Sequence, residues 1–204
     1  MSIKRIAIAG IIAAALTLTA CTGTGTPNPT ASSTGTPTPT PTTTSVTGEA
    51  PADEAEAISK AEETIDLLLE TWAQVDANGG NTPELFEAVA SGRMLADAQA
   101  SAARTANGPI LNEDGESIEG QATVEGKLVF EPTTAYGQEY EGTANGLVIV
   151  PGCLDASDRV TTTADGKPAM QNPNLRNEVE FQVVYNADAK TWFVNDQIEL
   201  GTTC

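Results

Sequence analysis

Residues 22–48, TGTGTPNPTASSTGTPTPTPTTTSVTG, constrain the chain more than any other stretch, because a block of this composition builds no core. The block carries no charge and no aromatic ring, and Val46 is its one large aliphatic side chain. Ordering a backbone costs about 1–2 kcal/mol per residue, and this tract has too little apolar surface to offset that. It reads as a tether. The Thr-Pro alternation over 36–42 favours extended polyproline II, which stiffens it. Ser and Thr interleaved with Pro also make up O-glycosylated stalks. A spacer is one reading of the tract, and a proline motif that docks a partner is the other. Folding falls to residues 49–204, a length that suits a single domain with its own core.

Ahead of the tether, Lys4 and Arg5 form a short positive head, followed by the uncharged run IAIAGIIAAAL at 6–16. A bilayer core needs about 20 apolar residues, so this run is too short to span one and suits the apolar part of an export signal. The end of the segment, Leu18-Thr19-Ala20-Cys21, resembles the bacterial lipobox, Leu-x-Ala/Gly-Cys. The resemblance to bacterial lipoproteins covers residues 1–21. It implies a signal peptide at 1–20, cleavage before Cys21, and a diacylglyceryl thioether on that sulfur. With palmitate-type chains contributing about 0.8 kcal/mol per buried CH₂, the implied location is the extracytoplasmic face of the cell membrane. An ordinary signal with a chance cysteine is the other reading.

The full chain has formal charge −18, and loss of Lys4 and Arg5 with the signal makes the remainder more acidic still. Such a surface repels phosphate backbones, which argues against nucleic acid as a partner. It also disfavours lying flat on an anionic leaflet, and a tether that lifts the domain away fits that repulsion. Two cysteines remain, Cys153 and Cys204. An even pair in an exported chain points to one disulfide, with two free thiols as the other reading. With no histidine and only these two thiols, the sequence offers no metal centre. No cofactor fingerprint is present either.

Along the domain, the hydrophobic period changes once. Ile58, Ala61, Ile65, Leu68, Leu69, Trp72 and Val75 recur at steps of three and four, which predicts a long amphipathic helix from Asp53 to the Asn78-Gly79-Gly80 stop. Thr82-Pro83-Glu84 reads as an N-cap and first turn of a short helix carrying Leu85, Phe86 and Val89. Residues 91–104 predict a third helix with Met94, Leu95 and Ala98 inward, ended by Asn107-Gly108-Pro109. Beyond that point the period is two. Ala122, Val124, Leu128 and Phe130 share a face, as do Val179, Phe181, Val183 and Tyr185, while Trp192, Val194 and Ile198 are assigned to the inner face of the last strand. GLVIVPGCLD reads as a central strand with a bulge or bend at Pro151-Gly152, just before Cys153, and Asp165-Gly166 as a hairpin turn. Helices first and antiparallel strands after is an α+β pattern.

That order of elements resembles the cone-shaped, cystatin-like fold of the nuclear transport factor 2-like superfamily. There, N-terminal helices pack into the concave side of a curved antiparallel sheet. Cys153-Leu154-Asp155-x-Ser157, followed by a polar hairpin and Trp192-Phe193-Val194, is similar to secreted or anchored actinobacterial domains. Some relatives are hydrolases or isomerases with acid/base groups lining the cone; others only bind or dimerise, so fold does not hand over function. Asp155 is the weak candidate for a general base, since it directly follows an apolar strand, and a turn-making role competes with that. NEDGE at 112–116 faintly echoes a calcium loop but lacks its spacing. Tyr136 and Tyr140 form either an exposed aromatic pair or ordinary strand positions. The reading is a membrane-anchored, non-catalytic domain that binds a ligand, an envelope protein or a second copy of itself. The competing reading is a small hydrolase or isomerase using Asp155.

Overall fold

A computed structural model describes residues 44–204; the expected signal peptide at 1–20, the candidate lipid-attachment residue Cys21 and most of the expected tether at 22–48 lie outside the described residues. Helix α1 spans Glu54–Ala77, and its start is chemically specified. The Asp53 carboxylate accepts the Glu56 N–H at 2.9 Å, and Glu56 reaches back to accept the Ala52 N–H at 2.8 Å. This reciprocal arrangement satisfies donors that a helix start leaves free. Ala57, Ala61, Ile65, Leu68 and Val75 form the buried stripe. Thr64 and Thr71 are buried among them because their hydroxyls bond back to the Lys60 and Leu67 carbonyls at 2.7 Å.

The expected short helix after Thr82 is present, but its form and cap are decided by packing. Pro83–Ala88 is a 3-10 turn, and Thr82 provides no side-chain cap. Phe86 governs it: fully buried, its ring meets Trp72 edge-on with centroids 5.3 Å apart. Helix α2, Gly92–Asn107, buries Met94, Ala98, Ala102 and Thr105.

The described chain is α+β, with the helices followed by antiparallel strands in an open sheet. Two small pairs come from β1 (Ile110–Leu111) with β2 (Ser117–Ile118), and β3 (Thr123–Glu125) with β7 (Val160–Thr162). The main sheet is built on β4 (Val129–Pro132), β5 (Tyr136–Tyr140), β6 (Thr143–Asp155), β8 (Arg176–Asn186) and β9 (Thr191–Thr203). Its order is β4-β6-β8-β9, with β5 pairing the other half of β6. On one face Val148, Val150, Val179, Phe181, Val183, Tyr185, Trp192 and Val194 are all buried and belong to the same core cluster as the α1 stripe. The period-two reading of β8 is borne out residue by residue.

Two expectations about the strands are corrected. The β6–β8 register runs without a shift through Pro151 and Gly152, so no bulge lies there. Gly152 answers a different demand: a Cβ would come within 2.4 Å of the Glu131 carbonyl and 2.5 Å of the Phe130 ring. Phe130 uses that space to reach Phe181 edge-on at 4.9 Å. The irregularity sits instead in β9, where Gln182 pairs Asp196 and the next residue, Val183, pairs Val194. Asn195 is the extra residue, and one extra residue inverts every later side chain. Ile198 therefore pairs Glu180 on the outer face, and Gln197 and Glu199 take the inner positions opposite Phe181 and Val179.

The end of the Thr/Pro tract joins the fold. Val46 is buried, its carbonyl accepts the Trp192 N–H at 3.0 Å, and Thr47 pairs Thr191. Gly48 donates to the Lys190 carbonyl at 2.9 Å and accepts from the Tyr185 hydroxyl at 3.0 Å. Further along the same edge of β9, Val194 exchanges backbone bonds with Val89 and Ser91, and Arg93 donates to the Gln197 carbonyl. An exposed strand edge invites pairing with other chains, and these segments cover this one. At the far end, Cys204 is disulfide-bonded to Cys153, with Cα atoms 5.9 Å apart, linking the end of β9 to β6 across the intervening β8.

Candidate functional site

Side chains alternate along β6, and Val148 and Val150 face the helices. Asp155 has the opposite parity. It lies on the outer face with Cys153, away from the helix-covered side where a cone would hold its acid/base groups. Its Oδ1 accepts the Ser157 N–H at 2.8 Å, and its Oδ2 lies 3.6 Å from an Arg176 nitrogen. Hydrogen bonds from the Ser157 side chain and backbone, assisted by Arg176, hold its pKa below the ordinary carboxylate value. A general base at neutral pH needs the reverse shift. The arrangement is that of a turn-making Asp at a strand end.

The NEDGE loop is likewise occupied by its own chemistry. Asn112, fully buried, donates to Glu116 at 3.2 Å and to Asp165 at 3.1 Å. The Lys167 ammonium lies 2.7 Å from Asp114 and 3.6 Å from Glu116, filling the position a cation would take. No cluster of three or more metal-ligating side chains occurs among the described residues. Tyr136 and Tyr140 are β5 strand positions, and among the described residues their rings form no stacked or edge-on pair.

The chemistry the sequence reading missed collects around α2. Asp76, in the last turn of α1, is buried, and Arg159 meets it: Nε lies 2.9 Å and Nη2 2.8 Å from the same carboxylate oxygen. Burial raises the Asp76 pKa, and the Arg159 charge and hydrogen bond partly oppose that rise. A signal existed for half of this pair, because Asp76 continues the Leu69-Trp72 stripe at a helical step. Arg159 is 83 positions away and carried no local signal.

Arg159 also lines an open cleft of about 510 Å³. One wall is α2, with Ser101, Arg104 and Thr105; the others come from Ile110–Leu111, Thr161 and residues 169–172. A second cleft of about 410 Å³ shares Ser101 and Arg104 and extends past Arg93 to Gln197 and Glu199, the two side chains turned inward by the Asn195 bulge. Three of the four arginines among the described residues thus border one continuous side of α2. A site of this size and mixed polarity is large enough to admit a small molecule. Among the described residues no helix is long and apolar enough to cross a membrane. No family model, curated protein or solved structure matches the chain.

Proposed function

We propose that the chain is a lipid-anchored extracytoplasmic protein whose domain binds a ligand without catalysis, held off the membrane by the Thr/Pro tether. The lipobox at Leu18–Cys21, the signal-like run before it and the tether after it support the anchor. Helices gathered on one face of an open antiparallel sheet support a nuclear transport factor 2-like relation. The observation that carries the non-catalytic reading is the position of Asp155, on the outer face with its carboxylate engaged by Ser157 and its pKa lowered. The cleft beside α2 instead offers arginines and apolar rim residues, which recognise rather than transform.

Mass spectrometry of the membrane-extracted chain should find Cys21 as the N-terminal residue with a diacylglyceryl group; an unmodified thiol would remove the anchor. Hydrolysis of p-nitrophenyl acetate should stay at background for the wild type and for Asp155→Asn alike. A wild-type rate that falls more than about tenfold in the variant, a barrier change of ~1.4 kcal/mol, would overturn the non-catalytic reading.

A further inference from the structure

We infer that the 510 Å³ cleft beside α2 takes a small amphipathic monocarboxylate, with Arg104 on the carboxylate and Leu111 and Met170 against the apolar body. The inference rests on the binding reading above and names its ligand class. Its first support is the state of the arginines. Arg159 is committed to Asp76, Arg93 to Asp196 at 2.5 Å, and Arg176 to Glu131 at 3.3 Å and Asp155 at 3.6 Å. Among the described residues, Arg104 is the one arginine with no carboxylate within 4.0 Å. An unengaged guanidinium offers the planar, two-pronged donor set that matches a carboxylate.

The second support is the lining. In a chain with 28 acidic residues, this cleft contains two arginines and no Asp or Glu. The neighbouring cleft that shares Arg104 contains Asp97 and Glu199. Those at other places on the domain contain Glu178, the Asp66–Glu70 pair and Asp76. An anion placed in the 510 Å³ cleft therefore meets no like charge in the wall.

The third support is apolar. Leu111 is 46% exposed and Met170 54% exposed, both at this rim. Water gains little by solvating them, and an apolar ligand body removes that surface from it. Net charge decides the valence. The domain is strongly acidic overall, so each further negative charge on a ligand adds repulsion, whereas a single carboxylate is balanced by the one guanidinium of this cleft that has no acidic partner among the described residues. The same acidity keeps the cleft off an anionic membrane, which leaves a free small molecule as the occupant.

The test uses the full chain in lipid nanodiscs, titrated calorimetrically with 4-phenylbutyrate and with 4-phenylbutanol, an uncharged analogue. The acid should bind at least about tenfold more tightly than the alcohol, the discrimination expected of a charge-assisted pair. Arg104→Ala should bring the acid down to the level of the alcohol, Arg104→Lys should retain part of the preference, and Met170→Glu should weaken the acid. Arg104 and Met170 are exposed, so these variants keep the fold. Equal affinity for acid and alcohol, or undiminished acid binding in Arg104→Ala, would overturn the inference. Neither result touches Cys21 acylation or the esterase background, so failure here is separable from failure of the proposed function.

Discussion

Asp76 and Arg159 show how one residue pair can set a pH response opposite to that of the acidic surface around it. Burial raises the Asp76 pKa, so between an unfolded value of about 3.9 and its folded value the native state holds more protons than the unfolded chain. Stability contributed by this group therefore falls as pH rises through that window. Asp165 and Asp155 behave conventionally: hydrogen bonds lower their pKa values, led by the Thr163 hydroxyl and by Ser157, so their contribution is present above about pH 3.9 and lost below it. Arg159→Ala removes the only groups that lower the Asp76 pKa and strands the carboxylate. The expected cost is about 2–4 kcal/mol at pH 7, below the full range for a buried pair because Arg159 is partly exposed. That cost should shrink toward pH 4 as Asp76 takes up a proton, which urea unfolding at several pH values would measure. A pH-independent loss would mean that packing, and not charge, holds the pair.

At the scale of elements, β9 is secured along its outer edge and at both ends. Residues 46–48 cover its start, residues 89–93 its middle, and the Cys153 bridge its end. The strap is the least expected of these, because composition assigns the whole of 22–48 to the tether. Val46 departs from that assignment for a local reason: it is the tract's one large aliphatic side chain, and it reaches a buried position beside Trp192. A chain begun at residue 49 should fold but lose the Val46 burial and the backbone bonds to Lys190 and Trp192. We expect it to melt roughly 4–10 °C below a chain begun at residue 44, from a deficit of about 2–3 kcal/mol in a domain of this size. Equal melting temperatures would show that the strap contributes nothing. The bulge at Asn195 is the second unexpected element. It inverts Ile198 and brings Gln197 and Glu199 to the α2 side, so a period-two reading carried through it assigns the wrong face.

For the whole molecule, the disulfide is the principal long-range constraint. It joins residues 51 apart, and loop-closure arithmetic for that span gives about 4 kcal/mol as an upper figure. Cys204→Ser should lower the unfolding free energy by about 2–4 kcal/mol, read from the urea midpoint at unchanged slope. The last residues before Cys204, Glu199–Thr203, are exposed, so without the bridge they should be the first to exchange their amide hydrogens. The bridge also ties the sheet at the end remote from the Val46 strap. The sheet is thus secured at one end by a covalent bond and at the other by the packing of residues 46–48.

Features that depend on neighbours along the chain are legible from the residues alone. Helix α1 follows from a 3.6-residue apolar stripe, an Asp53 cap and a Gly-Gly stop. Strand β8 follows from alternation over Glu178–Val183, and the Cys153–Cys204 pairing from the two cysteines present in residues 49–204. Each of these is a local or compositional demand that survives any packing. Tertiary structure alone decided the 3-10 form of Pro83–Ala88, the strap, the inverted end of β9, the outward turn of Asp155, and the meeting of Asp76 with Arg159. Those outcomes depend on what lies across a contact: Phe86 against Trp72, Val46 against β9, and a guanidinium 83 residues away. The α2 cleft belongs to this second group. Its walls come from four separated segments, and no window of sequence contains enough of them to show that Arg104 stands there without an acidic partner.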